Sequence, residues 1–100
     1  MNLLYISRPC TSCGQPELNR ILARRYAEKY KALGYHAINP LDVINLDCTE
    51  HQRLVISLKL LDICRVILMC GEWEKSERCK YELEHAKDND IEIIYDGGVK

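Results

Sequence analysis

Apolar positions fall into two rhythms along the chain. Four short stretches are apolar or β-prone nearly throughout: Leu3-Leu4-Tyr5-Ile6, Tyr35 to Asn39, Val66-Ile67-Leu68-Met69-Cys70 and Ile91 to Tyr95. Runs of this length, rich in branched and aromatic residues, predict strands. The first spans Asn2 to Ser7 and is stopped by Pro9. Between the runs, apolar residues recur at helical spacing. Ile21, Leu22, Tyr26, Tyr30 and Leu33 predict a helix opened by Pro16 and closed by Gly34, with Arg20, Arg24, Arg25, Lys29 and Lys31 mostly on its other face. Leu54, Val55, Leu58, Leu61 and Ile63 predict a second helix, and Thr49-Glu50-His51-Gln52 before it has the form of a capping box. Cys79, Leu83 and Ala86 mark the apolar stripe of a third, with Ser76 as N-cap and Glu77 in its first turn.

Strand and helix therefore alternate from end to end. That order predicts an α/β fold: a small three-layer, open parallel sheet of about four strands with helices on both faces, flavodoxin-like in its rhythm. One domain is expected over 1–96. Asp96 begins a tail with two glycines, of which 97–100 is expected to be flexible. In open sheets of this kind ligands bind beyond the carboxyl ends of the strands, where the strand order reverses. The loops there are Ser7 to Gln15, Asn39 to Cys48 and Gly71 to Ser76. Asp42, Asn45 and Asp47 in the second are read as turn formers rather than a substrate rim.

Charge narrows the function classes. Fourteen basic and fifteen acidic side chains leave a net charge of -1 in 100 residues. No basic stripe with interleaved aromatics is present, which argues against a nucleic-acid partner. No apolar run approaches membrane-spanning length. The first residues lack the basic and apolar regions of a signal peptide, so the cytoplasm is the expected compartment. A domain this small is marginal alone, and a homodimer or higher homo-oligomer is expected.

Six cysteines are many for such a domain. Cys64 and Cys70 lie in or beside apolar runs and are expected to be core thiols. Cys10 and Cys13 form one C-x-x-C pair, a weak metal signal without a second pair; unpaired loop thiols, a metal, redox use and a disulfide all stay open. His36, His51 and His85 have no ligand spacing. No metal and no cofactor is expected, since P-loop and dinucleotide fingerprints are both missing.

The chemistry-bearing stretch is Gly71 to Ala86. A helix N-terminus at the end of a strand offers free N–H groups to a phosphate. Glu82 lies three residues after Cys79 and four before Ala86, so it borders the buried stripe. It is either one more solvated charge or a carboxylate looking across the top of the sheet.

Several motifs now form one ordered set: Tyr5-Ile6-Ser7-x-Pro9, Asn19, Gly34, Asn39-Pro40, Gly71-x-Trp73-Glu74-Lys75-Ser76, and Glu82 six residues after that serine. Together they resemble the nucleoside 2-deoxyribosyltransferase-like superfamily over Leu3 to Tyr95. The resemblance is to an uncharacterised, phage-associated branch, with 2′-deoxynucleoside 5′-phosphate N-hydrolases as relatives. It implies cleavage or transfer at the N-glycosidic bond of a nucleoside or nucleoside 5′-monophosphate, with a small molecule as partner. In that family the residue matching Glu82 is a carboxylate nucleophile on C1′, the one matching Tyr5 lies beside it, and the one matching Ser76 holds a 5′-phosphate. The implied site is Glu82 and Tyr5 for catalysis, and Ser76, Ser7, Arg8, Arg78, Trp73 and Asn19 for substrate and phosphate.

The chain also departs from that pattern. Arg8 and Arg78 stand where glycines are usual, and Ser57 and Arg65 where aspartates are. The lost acids remove candidates for protonating a leaving base. The arginines suit an anion, or an Arg8–Glu82 ion pair that lowers the carboxyl pKa and blocks it. The alternative to an enzyme is a catalytically degenerate nucleotide-binding module of the same fold. A third reading is a small α/β interaction protein.

Overall fold

The computed structural model describes residues 2–8, 16–40, 43, 44 and 47–96, with 16–20 described by their backbone alone. The elements are strand β1 (Leu3–Ser7), helix α1 (Pro16–Lys31), β2 (His36–Ile38), α2 (Glu50–Asp62), β3 (Val66–Cys70), a 3₁₀ turn (Trp73–Lys75), α3 (Glu77–Asp88) and β4 (Glu92–Asp96). The four strands form one parallel sheet in the order β2-β1-β3-β4. This is the three-layer α/β architecture that the alternation predicts. Chain order turns back at β1, so the switch point lies between the carboxyl ends of β1 and β3.

Strand side chains alternate between two helical layers. Leu4, Ile6, Val66, Leu68 and Cys70 face α1, where they pack on Ala23, Tyr26 and Tyr30. Tyr5, Ile67 and Met69 face the other way, onto Leu61 of α2 and Cys79, Leu83 and Ala86 of α3. β3 is buried at all five positions, as a central parallel strand covered on both faces must be. Tyr26 and Tyr30 of α1 are buried in the core, and Cys64 and Cys70 are core thiols, as expected of the two cysteines. Burial pushes the Cys64 thiol up to about 11 and the Cys70 thiol up to about 12, so both stay protonated at neutral pH.

Helix ends follow their local chemistry. The Thr49–Gln52 capping box is formed in both directions. Gly34 (φ 97°) closes α1: its N–H donates to Lys31 O, and the Tyr35 N–H donates to Tyr30 O. That is a Schellman motif, reinforced by an edge-on contact of the Tyr30 and Tyr35 rings at 6.0 Å. Tyr35 thereby belongs to the cap, and β2 is three residues long where five are expected.

Several expected core positions are outside the core. Ile21 and Val55 each sit two residues before a buried position, Ala23 and Ser57, which is roughly 200° round the helix. Leu33 lies past the end of α1 and is 65% exposed, and Ile63 is the exposed C-cap of α2. Asp96 is the last residue of β4 rather than the start of a tail. Its carboxylate accepts from Lys29 Nζ at 2.6 Å and Tyr30 Oη at 2.7 Å, which ties the strand end to α1.

Candidate active site

Three elements converge at the switch point. Tyr5 and Ser7 are two residues apart on β1, so both point toward α2 and α3. Glu82, in the second turn of α3, points back at them. It is on the buried stripe rather than beside it, with 0% exposure. The solvated reading of Glu82 is thereby excluded. Tyr5 Oη donates to Glu82 Oε2 at 2.5 Å, and Ser7 Oγ donates to Oε1 at 2.7 Å. Each carboxylate oxygen thus holds one hydroxyl donor from the central strand.

One cation accompanies the carboxylate. Arg78, one turn earlier on α3, places Nε 3.8 Å from Glu82 Oε2, and its side chain is 11% exposed. Its Nη2 donates to the Arg8 carbonyl at 2.8 Å, which locks the first turn of α3 to the end of β1. Ser57, from α2, closes the cluster on the remaining side. It is fully buried, and its hydroxyl lies near enough to Tyr5 and Glu82 to lower the pKa of each. Yet Ser57 Oγ makes no hydrogen bond among the described residues.

Electrostatics follow from this enclosure. Burial pushes the Glu82 carboxyl above its ordinary value; the Arg78 charge and the hydroxyls of Tyr5 and Ser7 pull it part of the way back. Tyr5 is held well above the ordinary phenol value by burial and by the neighbouring Glu82 charge. Tyr5 is therefore a hydrogen-bond donor at any working pH, not a base. The Cys79 thiol, beside Ser7 and Ser76, is likewise raised by burial and then by Glu82.

The other expected site residues divide. Ser76 is the N-cap of α3, its hydroxyl accepting from the Cys79 N–H at 3.3 Å. Its position at the head of the helix, one and a half turns before Glu82, is the one expected. The Arg8 side chain goes to the opposite face of the sheet, because residue 8 is out of phase with Tyr5 and Ser7. Its guanidinium lies 5.9 Å from the centre of the Tyr26 ring. It also lies against Gly71, where a Cβ would come within 2.7 Å of Nη1. Gly71 thus has two reasons to be glycine: its φ of 65° and this contact. The ion pair on Glu82 is made by Arg78, and only the backbone of Arg8 reaches the site. Trp73 packs its ring 5.8 Å from that of Tyr95, on the β4 side of β3, away from β1. Asn19 lies on α1, with its side chain outside the described residues, as are Cys10, Cys13, Asp42, Asn45 and residues 97–100. Arg65 precedes β3 at its amino end, level with Leu3, roughly 7 Å of strand below Tyr5 and roughly 13 Å below Ser7.

Ser57 is the site residue that the sequence treats only as a deficit. Its spacing carries the signal: three residues after Leu54 and four before Leu61, it shares the inward stripe of α2. Among the described residues no three His, Cys, Asp or Glu side chains are grouped to hold a metal. None of the described helices is long and apolar enough to cross a membrane.

Such a cluster holds a buried carboxyl between two hydroxyl donors and one cation. Residues 2–95 match the family described as a domain of unknown function, DUF4406.

The chain belongs to the DUF4406 family.

The match takes in β1 to β3, all of β4 but Asp96, and every residue of the cluster. No curated protein matches this DUF4406 chain. Among solved structures it is similar to a 2-desoxiribosyltransferase from Leishmania mexicana, with a TM-score of 0.74 at 13% identity. The alignment covers 97% of the DUF4406 chain and 65% of the other, so the chain spans somewhat under two thirds of that neighbour. At this identity the likeness concerns the fold, and the fold implied by the motif resemblance is the one found.

Proposed function

We propose that the chain cleaves or transfers at the N-glycosidic bond of a nucleoside 5′-monophosphate, with Glu82 as nucleophile. The observation that carries this is the carboxylate itself: fully buried, oriented by Tyr5 and Ser7, and accompanied by Arg78. Burial of a carboxylate without full charge compensation costs stability, and such groups concentrate at working sites. The similarity to a 2-desoxiribosyltransferase supports the same chemistry.

In the first step a Glu82 oxygen forms a bond to C1′ as the C1′–N bond breaks, and that electron pair goes to the base nitrogen. The base takes a proton from water or acid. In the second step a water oxygen, or a second base, attacks C1′, the ester to Glu82 breaks and the carboxylate returns. With water as acceptor, its second proton leaves to solvent. Tyr5 and Ser7 hold the carboxylate in line and ease its charge changes. Arg78 is the most exposed member described of the group around the carboxylate, and a substrate must move its guanidinium to reach Glu82. A 5′-phosphate at the α3 N-terminus, on Ser76 and the free N–H groups, gives that guanidinium a stronger partner.

A panel of nucleosides and their 5′-monophosphates, scored for released base, tests this. We expect 5′-monophosphates to exceed the matching nucleosides by about 10-fold or more in kcat/KM, the scale of one charge-assisted contact of about 1.5–3 kcal/mol. The second reading, a binding module, is favoured by the closed Glu82–Arg78 pair and by Ser57 in place of an acid. Its mark is thermal stabilisation by one nucleotide with no base released.

A further inference from the structure

We infer that Ser57 reads the sugar, and that the substrate is a ribonucleotide rather than a 2′-deoxyribonucleotide. This rests on the proposed attack of Glu82 on C1′ and adds to it the sugar class. The observation is a fully buried hydroxyl that lies beside the Tyr5 hydroxyl and the Glu82 carboxyl yet forms no hydrogen bond of normal geometry with either. Ser57 is fully buried, and its Oγ has no hydrogen-bond partner among the described residues. Buried side-chain hydroxyls are nearly always partnered, by protein or by what binds there. The remaining polar groups of the cluster are already engaged: Tyr5 and Ser7 on the two Glu82 oxygens, Arg78 on Glu82 and the Arg8 carbonyl.

The place of Ser57 decides what it would meet. It adjoins both the Tyr5 hydroxyl and the Glu82 carboxyl, the atoms nearest to a reacting C1′. The atom next to C1′ on the sugar is C2′. A ribose carries there a hydroxyl that both donates and accepts. Its oxygen accepts from Ser57 Oγ, and its proton is shared with the carboxylate that is forming the bond. Hydrogen bonds of this kind at the 2-position strengthen as an oxocarbenium-like state develops. A 2′-deoxyribose offers only C–H there and leaves Ser57 as it is in the free protein. A site that bonds a hydroxyl rejects the analogue without it far more strongly than an apolar pocket rejects an added one.

The test compares AMP with dAMP, and GMP with dGMP, in the native chain, Ser57→Ala and Ser57→Thr. Base release gives kcat/KM, and calorimetry gives the binding of ribose 5-phosphate and 2-deoxyribose 5-phosphate. The native chain is expected to favour each ribonucleotide by about 10-fold or more. Ser57→Ala should lower the ribonucleotide rates by a similar factor and the deoxyribonucleotide rates by clearly less, so that the sugar preference is lost, while Ser57→Thr, which keeps the hydroxyl, restores the preference. An equal loss on both sugars would make Ser57 merely structural and overturn the inference. So would a native preference for deoxyribonucleotides, which leaves the glycosidic chemistry intact. If no base is released from either sugar, the proposed chemistry falls. The binding comparison then decides the sugar reading: a Ser57-dependent preference for ribose 5-phosphate upholds it, and equal binding of the two sugars overturns it.

Discussion

Glu82→Gln is expected to abolish base release, by about 10³-fold or more, and to leave the folded chain more stable at pH 8 than the native one. The first effect follows from removing the atom that bonds to C1′; about 4 kcal/mol of barrier corresponds to that factor. The second follows from the cost of a buried charge. Burial holds the Glu82 carboxyl above its ordinary value, so the folded chain binds that proton more tightly than the unfolded chain. Stability from this group is then fully present below the unfolded pKa and is lost as pH rises through the folded one. Glutamine, near-isosteric and neutral, escapes that loss. The gain should be about 1–2 kcal/mol at pH 8, typical of a replaced working group, and should vanish near pH 4. Thermal melts of the two proteins at pH 4 and pH 8 check it. A variant less stable at pH 8 than at pH 4, relative to native, would mean that Arg78 and the hydroxyls outweigh burial.

Arg78→Met should be the most destabilising change in the cluster, and its cost should depend on pH. Arg78 is the foremost influence holding the Glu82 pKa down against burial. Without it the carboxyl rises further, and at pH 8 a buried charge is left with two hydroxyls alone. Breaking one partner from a buried pair costs about 3–5 kcal/mol; at 3.8 Å and with Arg78 partly exposed, about 2–3 kcal/mol is expected. About 1 kcal/mol of this is the lost bond to the Arg8 carbonyl and should persist at every pH. The remainder should fade as pH falls and Glu82 takes its proton. In the double variant Arg78→Met/Glu82→Gln the pH-dependent part should disappear, which a double-mutant cycle measures directly. The acid limb of the pH–rate profile in Arg78→Met should move upward, since a protonated Glu82 cannot attack.

Much of the architecture was legible because it rests on local pattern. The strand and helix rhythm, the Thr49 box, the Gly34 stop and the Ser76 cap each depend on neighbours within a few residues. Tyr5 and Ser7 on one side of a strand also follow from period two. By the same parity Arg8 belongs to the opposite face, a point that decides between Arg8 and Arg78 as the partner of Glu82. The fate of Glu82 was not legible from spacing. It sits where a helix meets the stripe edge, and only donors 75 and 77 residues upstream make burial tolerable. Ser57 was read only as a missing acid; its helical spacing puts it on the inward stripe, but a serine there has no fixed meaning until its neighbours are known. Asp96 is anchored by Lys29 and Tyr30, contacts that no local pattern announces.

The most direct measurement is peptide mapping by mass after acid quenching of the chain with a turnover-slowed 2′-fluoro nucleoside 5′-monophosphate. The account predicts one fluoropentosyl phosphate on Glu82, formed as the base is released and absent in Glu82→Gln. Base release that survives Glu82→Gln unchanged, or an adduct on another residue, would contradict it.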